Sequence, residues 1–257
     1  MTPYAMWISY KTIVTKEVTR FLRVWSQTLL PPVITMSLYF VIFGRFIGSQ
    51  IASIEGFSYM QFIVPGLVMM SVITSSFMNT VSSFYMAKFQ KTLEELQVSP
   101  TPYFIVILGF VTGGVLRGLL VGAIVLSVSL FFTHIAIHNI LLTLLFVLLT
   151  SIIFSLAGLI NGVMAESFDA ISIVPTFVLT PLTYLGGVFY SIHALPAFWQ
   201  KVSLWNPILY MIDGFRYGFL GIQDTSLALS ISVLLGFIAI FFGTAVWLFK
   251  TGRGLRS

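Results

Sequence analysis

Long uncharged apolar runs, separated by short charged stretches, dominate the chain. Between Gly118 and Ala165 there is no Asp, Glu, Lys or Arg, and only His134 and His138 interrupt the apolar character. A helix needs about 20 apolar residues to cross a bilayer, so this run is long enough for two crossings joined by a turn. Because a helix satisfies its own backbone hydrogen bonds in lipid, the pattern predicts an all-α integral membrane protein.

Six apolar segments have the length of transmembrane helices. Their predicted bounds are residues 27–47, 59–83, 103–132, 140–163, 171–190 and 227–249. We therefore predict a six-span bundle over residues 27–249. The third segment carries Gly114, Gly118 and Gly122 at four-residue spacing. Small residues on one face favour close helix packing in lipid.

The distribution of charge predicts the orientation of the bundle. Charged residues are 8% of the chain, and the net charge is +5. Cytoplasmic loops carry an excess of Lys and Arg. With a cytoplasmic N-terminus, nine Lys and Arg residues, the last of them Arg256, lie on that side, and three lie opposite: Arg45, Lys201 and Arg216. We expect both termini to be cytoplasmic, and we attribute the positive charge to orientation rather than to nucleic-acid binding.

The first 26 residues are predicted to form an amphipathic helix. One face carries Trp7, Val14, Val18, Phe21 and Trp25. The other face is largely polar and basic, with Thr12, Lys16, Thr19, Arg20 and Arg23. A helix of this kind can lie in the headgroup plane as an interfacial helix. Packing on another protein subunit is the alternative.

The most polar internal stretch is the loop over residues 85–102. Its charges can form a short helix, with Lys91 and Glu95 one turn apart. Leu93 and Leu96 are interspersed among them, which suits docking onto a soluble partner better than a plain linker does. A second cytoplasmic loop, over residues 164–170, carries acidic side chains as well.

The segment 190–221 is apolar and aromatic, but Pro196, Asn206-Pro207 and Gly214 interrupt it. Neither half is long enough to cross a bilayer. Two short re-entrant helices on the outer face, before the last span, fit this pattern better. Asp213 and Arg216 are three residues apart on the second helix, so we expect them to form an ion pair.

Several kinds of chemistry are missing from the sequence. No Gly-Lys pair occurs, so there is no phosphate-binding loop, and the chain is not expected to hydrolyse ATP. There is no Cys, the three His are scattered, and no catalytic, metal or cofactor site is expected. One ionisable residue, Arg117, lies inside an apolar span. It is either a functional intramembrane charge or a side chain that reaches the headgroups from a protruding helix.

The C-terminal half carries a set of motifs that resembles a known family. These are the string PLTYLGGVFY over residues 181–190, followed by Leu195-Pro196, Phe198-Trp199, Asn206-Pro207 and Gly214-Phe215-Arg216-Tyr217. Together with the amphipathic helix, the six spans and the polar loop, they are similar to the ABC type-2 permease family. The resemblance covers essentially the whole chain, so residues 1–257 are interpreted as a single ABC type-2 transmembrane domain.

The resemblance implies the transmembrane subunit of an exporter in the bacterial inner membrane. In that family two permease copies, here a homodimer in membrane lipid, pair with two separate ATPase subunits, which bind ATP and magnesium. The loop between spans two and three matches the position of the family's coupling helix. The residues that this match assigns to ATPase contact are Lys91, Leu93, Glu94, Glu95 and Leu96, with Glu166 and Asp169 of the short loop as a second contact.

Other classes of function are weaker interpretations. A secondary transporter driven by an ion gradient usually has ionisable midplane sites and internal repeats, which are not evident here. A lipid-modifying enzyme would need a catalytic constellation, and a receptor or scaffold gains no support from the polar loop. The cargo is not readable. A set of aromatic residues could line a path for an amphipathic or glycan-like cargo, or could simply pack in the core or face lipid: Tyr39, Phe40, Tyr59, Phe177 and Tyr184.

Overall fold

The computed structural model describes residues 1–48, 50–51, 53–133 and 137–254, and within them only the side chains of Arg45 and Gln97 are left undescribed. His134 and Arg256, named above, lie outside the described residues. The α-helices of the described part are α1 (Pro3–Arg23), α2 (Trp25–Thr28), α3 (Leu30–Tyr39), α4 (Tyr59–Phe89), α5 (Thr92–Val98), α6 (Tyr103–Ser129), α7 (Ile140–Met164), α8 (Ala170–Val174), α9 (Thr180–Leu185), α10 (Ala197–Ser203), α11 (Pro207–Leu220) and α12 (Leu227–Thr251). Phe40–Ile47 and Pro175–Leu179 are π-helical.

Five helical stretches are long and apolar enough to cross a membrane, counted over the described residues. They are Trp25–Gly44, Tyr59–Phe89, Tyr103–Ser129, Ile140–Met164 and Leu227–Thr251. These match five of the six predicted spans and confirm a nearly all-helical membrane protein. The sixth prediction, 171–190, meets a shorter helical run, Ala170–Leu185. At 1.5 Å per residue this run is about 24 Å long, below the roughly 30 Å of a hydrocarbon core. The count of six is therefore not confirmed.

Local sequence explains where the main helices begin and end. Ser58 starts α4 with a capping box, in which its hydroxyl accepts from the Gln61 backbone N–H while the Gln61 side chain accepts from the Ser58 backbone N–H. Asn139 caps α7 by accepting a hydrogen bond from the backbone N–H of Leu142 at 3.1 Å. Gly221 ends α11 with φ of 78°, a conformation that a side chain would disfavour.

Close contacts of small residues hold α4, α6 and α7 together. A Cβ added to Gly114 would collide with Thr80 of α4 and Ser155 of α7, and one added to Gly118 would collide with Ser76 of α4. The backbone of α6 therefore approaches α4 at a separation that larger residues would forbid. The predicted packing role of the α6 glycines is confirmed.

The first helix packs along α6 through a stripe of buried residues that coincides only in part with the predicted apolar face. Its buried residues are Ile13, Glu17 and Phe21, whereas Trp7 and Trp25 are exposed. Ile13 faces Gly109, and Glu17 faces Gly113, one helical turn further along both helices. Of these packed residues, Phe21 belongs to the predicted apolar face, and Ile13 and Glu17 belong to neither predicted face. Placement of α1 at the headgroups remains a prediction.

Two short helices, α10 and α11, occupy the segment predicted to hold two re-entrant helices. Most of α11 is buried, and it packs against α4, α7 and α12. Its N-terminus is fixed by Asn206, whose side chain accepts from the backbone N–H of Ile208 at 3.0 Å. The pair of helices is as predicted, while their depth in a membrane stays a prediction.

Candidate coupling surface and buried polar clusters

The short helix predicted for the polar loop is present as α5, and it presents acidic side chains. Lys91 adopts a left-handed conformation with φ of 60°, which turns the chain sharply from α4 into α5. Lys91, Glu94 and Glu95 are all exposed. Leu96 is half-buried. The polar members of the predicted contact set on this helix therefore lie at the surface, and Leu96 is partly covered.

The structure corrects the predicted role of Leu93. We expected it to contact the ATPase, but it is 2% exposed and belongs to a core cluster with Phe84, Ala87 and Val106. An apolar side chain on the inner face of a short helix gains more by packing against α4 and α6 than by meeting a partner. Leu93 therefore anchors α5 and leaves its acidic face free.

The second predicted contact lies beside the first. Glu166 and Asp169 are exposed on the loop after α7. Between them, Phe168 stacks edge-on against Tyr85 and Phe89 at the end of α4, with ring centroids 4.9 and 5.2 Å apart. The structure therefore joins the two loops through one aromatic cluster.

Lys88 reinforces this junction. Its Nζ donates hydrogen bonds to the carbonyl oxygens of Val163 at 3.2 Å and Ala165 at 2.9 Å. These carbonyls belong to the C-terminal end of α7, where the last backbone acceptors of a helix have no intrahelical donor. A cation at this position also complements the helix dipole. Sequence alone did not single out Lys88. We call the exposed set Phe89, Glu94, Glu95, Glu166, Phe168 and Asp169 the coupling surface.

A buried polar cluster surrounds Glu17, where α1 meets α4 and α6. Glu17 is 1% exposed, accepts a hydrogen bond from Ser83 at 2.5 Å and pairs with Arg20 at 3.1 Å. Arg20 also donates to the backbone and side-chain oxygens of Asn79, at 3.2 and 2.8 Å. Sequence reasoning missed this cluster, although the three-residue spacing of Glu17 and Arg20 is the spacing of a helical ion pair.

Arg117 lies beside this cluster, and its guanidinium donates to the backbone carbonyl of Thr28 at 3.3 Å. The side chain is half-buried. Thr28 in turn donates to the carbonyl of Phe21 at 2.9 Å, which ties the end of α1 to α2. Arg117 is therefore held against the α1–α2 junction.

The predicted Asp213–Arg216 ion pair is wrong. The described residues contain two ion pairs within 4.0 Å, Arg20–Glu17 and His193–Asp224. Arg216 instead lies 4.1 Å from the centroid of the Phe62 ring and donates to the carbonyl of Gly187 at 2.5 Å. The two charges still attract each other at longer range.

Asp213 is used to fix a loop. It accepts hydrogen bonds from the backbone N–H groups of Asp224 at 2.7 Å and Thr225 at 2.8 Å, and from the Thr225 hydroxyl at 2.5 Å. Burial raises the pKa of the Asp213 carboxyl, and these hydrogen bonds oppose that rise. Both Asp213 and Arg216 are therefore structural, each through partners distant in sequence.

Part of the predicted aromatic set comes together around Phe189. The ring of Tyr39 lies 5.8 Å and that of Tyr184 lies 5.9 Å from the Phe189 ring, while the Tyr59 hydroxyl donates to the Phe189 carbonyl at 3.2 Å. The other two members are placed differently. Phe40 is fully buried against Phe132, and Phe177 is 73% exposed. The set is therefore not one continuous lining.

A cavity of about 570 Å³ lies between α4, α7, α11, α12 and the Ala170–Leu185 run. Its walls are almost entirely apolar, and Phe77, Phe154, Asn161, Met211, Phe237 and Phe241 are among its lining residues. The volume falls in the range of pockets that hold small molecules. Sequence reasoning gave no sign of it, because it depends on the mutual placement of five segments.

Comparison with known proteins identifies the class. The model of the ABC-2 type transporter family matches residues 8–220, and this chain belongs to that family. The resemblance predicted from the PLTYLGGVFY block is confirmed. The chain is 59% identical over 251 residues to the inner membrane transport permease YadH of Escherichia coli K12, covering 98% of both chains. The C-terminal sequence RGLRS, residues 253–257, resembles that permease in particular.

More distant relatives extend the comparison. The chain is 25% identical over 206 residues to nodulation protein J of Rhizobium leguminosarum bv. viciae, which covers 80% of each chain. It is 24% identical over 261 residues to nodulation protein J of Sinorhizobium fredii, which covers 95% of this chain and 98% of that one. The chain is thus a transport permease of the ABC-2 family, with several apolar helices that suit a multi-pass membrane protein.

Proposed function

We propose that the chain is the transmembrane subunit of an ATP-binding cassette exporter, driven by a separate ATPase. The coupling surface carries this proposal. Its four carboxylates, on Glu94, Glu95, Glu166 and Asp169, are exposed on the two loops that the contact of the exposed Phe89 and Phe168 rings joins. A polar rim around aromatic residues is typical of a protein–protein contact. Because four of the five exposed charges on these loops are negative, with Lys91 the exception, the partner should present mainly basic side chains there.

On this proposal, the energy for transport comes from ATP hydrolysis in another protein. The sequence has no phosphate-binding loop. We therefore assign ATP and magnesium to the partner, with two ATPase subunits for two permease copies. The Lys88 contact and the Phe89–Phe168 contact bind the ends of α4 and α7 to each other. A displacement of α5 would then be transmitted to α4 and α7 together.

The second permease copy is proposed as a homodimer partner in the lipid. Trp25–Gly44 and Leu227–Thr251 bury only a small share of their residues within one chain. These apolar helices are therefore available to lipid and to a second copy. We propose further that the protein lies in the bacterial inner membrane with both termini cytoplasmic, which puts the coupling surface on the ATP side.

The cargo path is proposed to involve the cluster of Tyr39, Tyr59 and Tyr184 around Phe189. These residues combine aromatic faces with hydroxyl groups, which suits an amphipathic or glycan-like cargo. The apolar cavity of about 570 Å³ would suit an acyl or other apolar part of such a cargo.

The proposal is tested by affinity purification of the tagged chain from cells that also express candidate P-loop ATPases. We expect one ATPase to co-purify, and its ATP turnover to change when the permease is removed. Calorimetry of the isolated chain should show no ATP binding. Transport that continues without any ATPase and stops when an ionophore dissipates the ion gradients would instead establish a secondary transporter.

A further inference from the structure

Three buried donor atoms have no partner in the region where α1, α4 and α6 meet. They are Arg20 Nε, Asn79 Nδ2 and Arg117 Nε, and Asn79 is 0% exposed. Native proteins rarely leave buried donors unpaired, because each one loses its bonds to water without replacement. Arg20 and Asn79 are directly hydrogen-bonded to each other. The region is therefore rich in donors and short of acceptors.

The charges of this region do not cancel. Glu17 pairs with Arg20. Arg117 has no ion pair within the described residues, and its charge interaction is a repulsion from Arg20. The one carboxylate of this region pairs with Arg20, and Arg117 is left as an excess positive charge next to apolar helices. An uncompensated charge of this kind in a membrane protein usually marks a functional site.

The two guanidinium groups remain reachable from outside. Arg20 uses Nη2 for its bonds to Glu17 and Asn79, and Arg117 uses Nη2 for its bond to Thr28. The Nη1 atoms have no partner among the described residues and are not among the fully buried ones. The Arg20 side chain is 32% exposed. Free guanidinium donors match the oxygens of a phosphate.

Helix lengths put this region near the membrane boundary. With 31 residues, α4 is about 46 Å long, roughly 16 Å more than a hydrocarbon core. Asn79 lies ten positions before Phe89, about 15 Å from that end of α4. If the excess length protrudes there, Asn79 reaches headgroup level. Arg117 lies 14 positions after Tyr103, about 21 Å from the start of α6 at the same end of the bundle.

We propose that Arg20 and Arg117 bind the phosphate of a phospholipid headgroup through their Nη1 atoms, at the junction of α1, α4 and α6, with Asn79 holding the Arg20 guanidinium in position. The surplus positive charge favours an anionic headgroup, such as that of phosphatidylglycerol, over a zwitterionic one. Basic pockets between transmembrane helices are known to hold anionic headgroups. The site is independent of any ATPase. Its assignment to the cytoplasmic leaflet rests on the proposed orientation.

Lipid titration followed by native mass spectrometry tests the site on the purified full-length chain in detergent. The probes are phosphatidylglycerol, phosphatidylcholine and sodium phosphate. Arg117→Gln should weaken phosphatidylglycerol binding by about tenfold or more, equivalent to ~1.4 kcal/mol. Lys16→Gln, which removes one exposed charge from α1, should change it by less than about twofold. Arg117→Lys, which keeps the charge, should recover part of the affinity.

The wild-type chain supplies a second test that needs no variant. Phosphatidylglycerol should raise the melting temperature of the chain more than an equal amount of phosphatidylcholine does. If sodium phosphate alone competes fully with the lipid, the anion site stands and its ligand is a soluble phosphate. Equal affinity of Arg117→Gln and Lys16→Gln for phosphatidylglycerol would overturn the proposal. Equal stabilisation of the wild-type chain by both lipids would overturn it too.

Discussion

The ring of Phe89, at the end of α4, lies 5.2 Å from the ring of Phe168, in the loop after α7. Through this contact two loops that are distant in sequence form one surface with their acidic residues outward. Phe168 also contacts Tyr85, one turn earlier on α4. Both proposed ATPase contacts are therefore mechanically connected to the same two long helices.

Removing the Phe168 ring should weaken coupling without unfolding the bundle. Aromatic pairs contribute about 0.5–1.5 kcal/mol beyond their buried area, so Phe168→Ala should reduce the apparent affinity for the ATPase by about 2- to 10-fold. The measurement is ATP turnover as a function of permease concentration. Phe198→Ala removes a ring that pairs with Trp199 in α10, on the proposed outer side, and serves as the control. Equal effects of the two variants would contradict the joined surface.

The approach of α6 to α4 predicts a large difference between two glycines. Gly118→Leu would force a side chain into Ser76, and such overpacking costs about 1–3 kcal/mol. Gly243→Leu in α12 meets nothing within 4 Å, so its effect should stay within about 0.5 kcal/mol. Melting temperatures of the purified chains in detergent compare them. A melting temperature of Gly118→Leu that is no lower than that of Gly243→Leu would contradict the close packing of α6 on α4.

The buried carboxylate of Glu17 should stabilise the junction of α1 with α4. Glu17→Gln keeps an acceptor for Ser83 but leaves Arg20 without its counter-charge. Hydrogen bonds to charged groups contribute about 1.5–3 kcal/mol, and the partial exposure of Arg20 places the expected loss at the lower end. Glu95→Gln, at an exposed position, is the matched control. Equal denaturant midpoints for the two variants would show that Glu17 does not stabilise the junction of α1 with α4.

The orientation can be read with single cysteines, because the chain has none. Tyr4 and Trp205 are 73% and 90% exposed, on opposite sides of the proposed topology. An impermeant thiol reagent added to intact cells should label Trp205→Cys and should reach Tyr4→Cys only after permeabilisation. The reverse pattern would invert the topology that the Lys and Arg distribution predicts.

Periodic features of the sequence predicted the fold well. Apolar run length predicted the five long spans, and the four-residue spacing of Gly114 and Gly118 predicted close packing of α6, with a partner helix that only the structure identifies as α4. Both depend on local pattern alone. The 171–190 segment was harder to predict, because its helical run consists of α8, a π-helical turn and α9, and ends at Leu185.

The sites were predictable only where exposure follows from local sequence. Glu94 and Glu95 lie outward on a short polar helix, as expected. The Asp213–Arg216 pair was wrong because Phe62, Gly187 and Thr225, all brought in by tertiary structure, offered these side chains better partners. Glu17 was missed for the same reason. Nothing in the local sequence set Glu17 apart, and its burial results from the packing of α1 on α6.

Charge reversal on α5 tests the central claim most directly. Glu94→Lys with Glu95→Lys places positive charge where a basic partner surface is expected, and touches no apolar span. Truncating one side of a hydrogen-bonded charge pair at an interface costs about 2–5 kcal/mol, enough to lower affinity about tenfold or more. Glu55→Lys, an exposed reversal beyond the other end of α4, is the control.

The readout is recovery of the ATPase with each tagged variant, normalised to the amount of permease in the membrane, together with permease-stimulated ATP turnover. We predict that the double variant loses most of the ATPase and the stimulation, while Glu55→Lys keeps both. Full recovery of the ATPase with undiminished turnover in the double variant would contradict the claim that this surface couples ATP hydrolysis to the membrane helices.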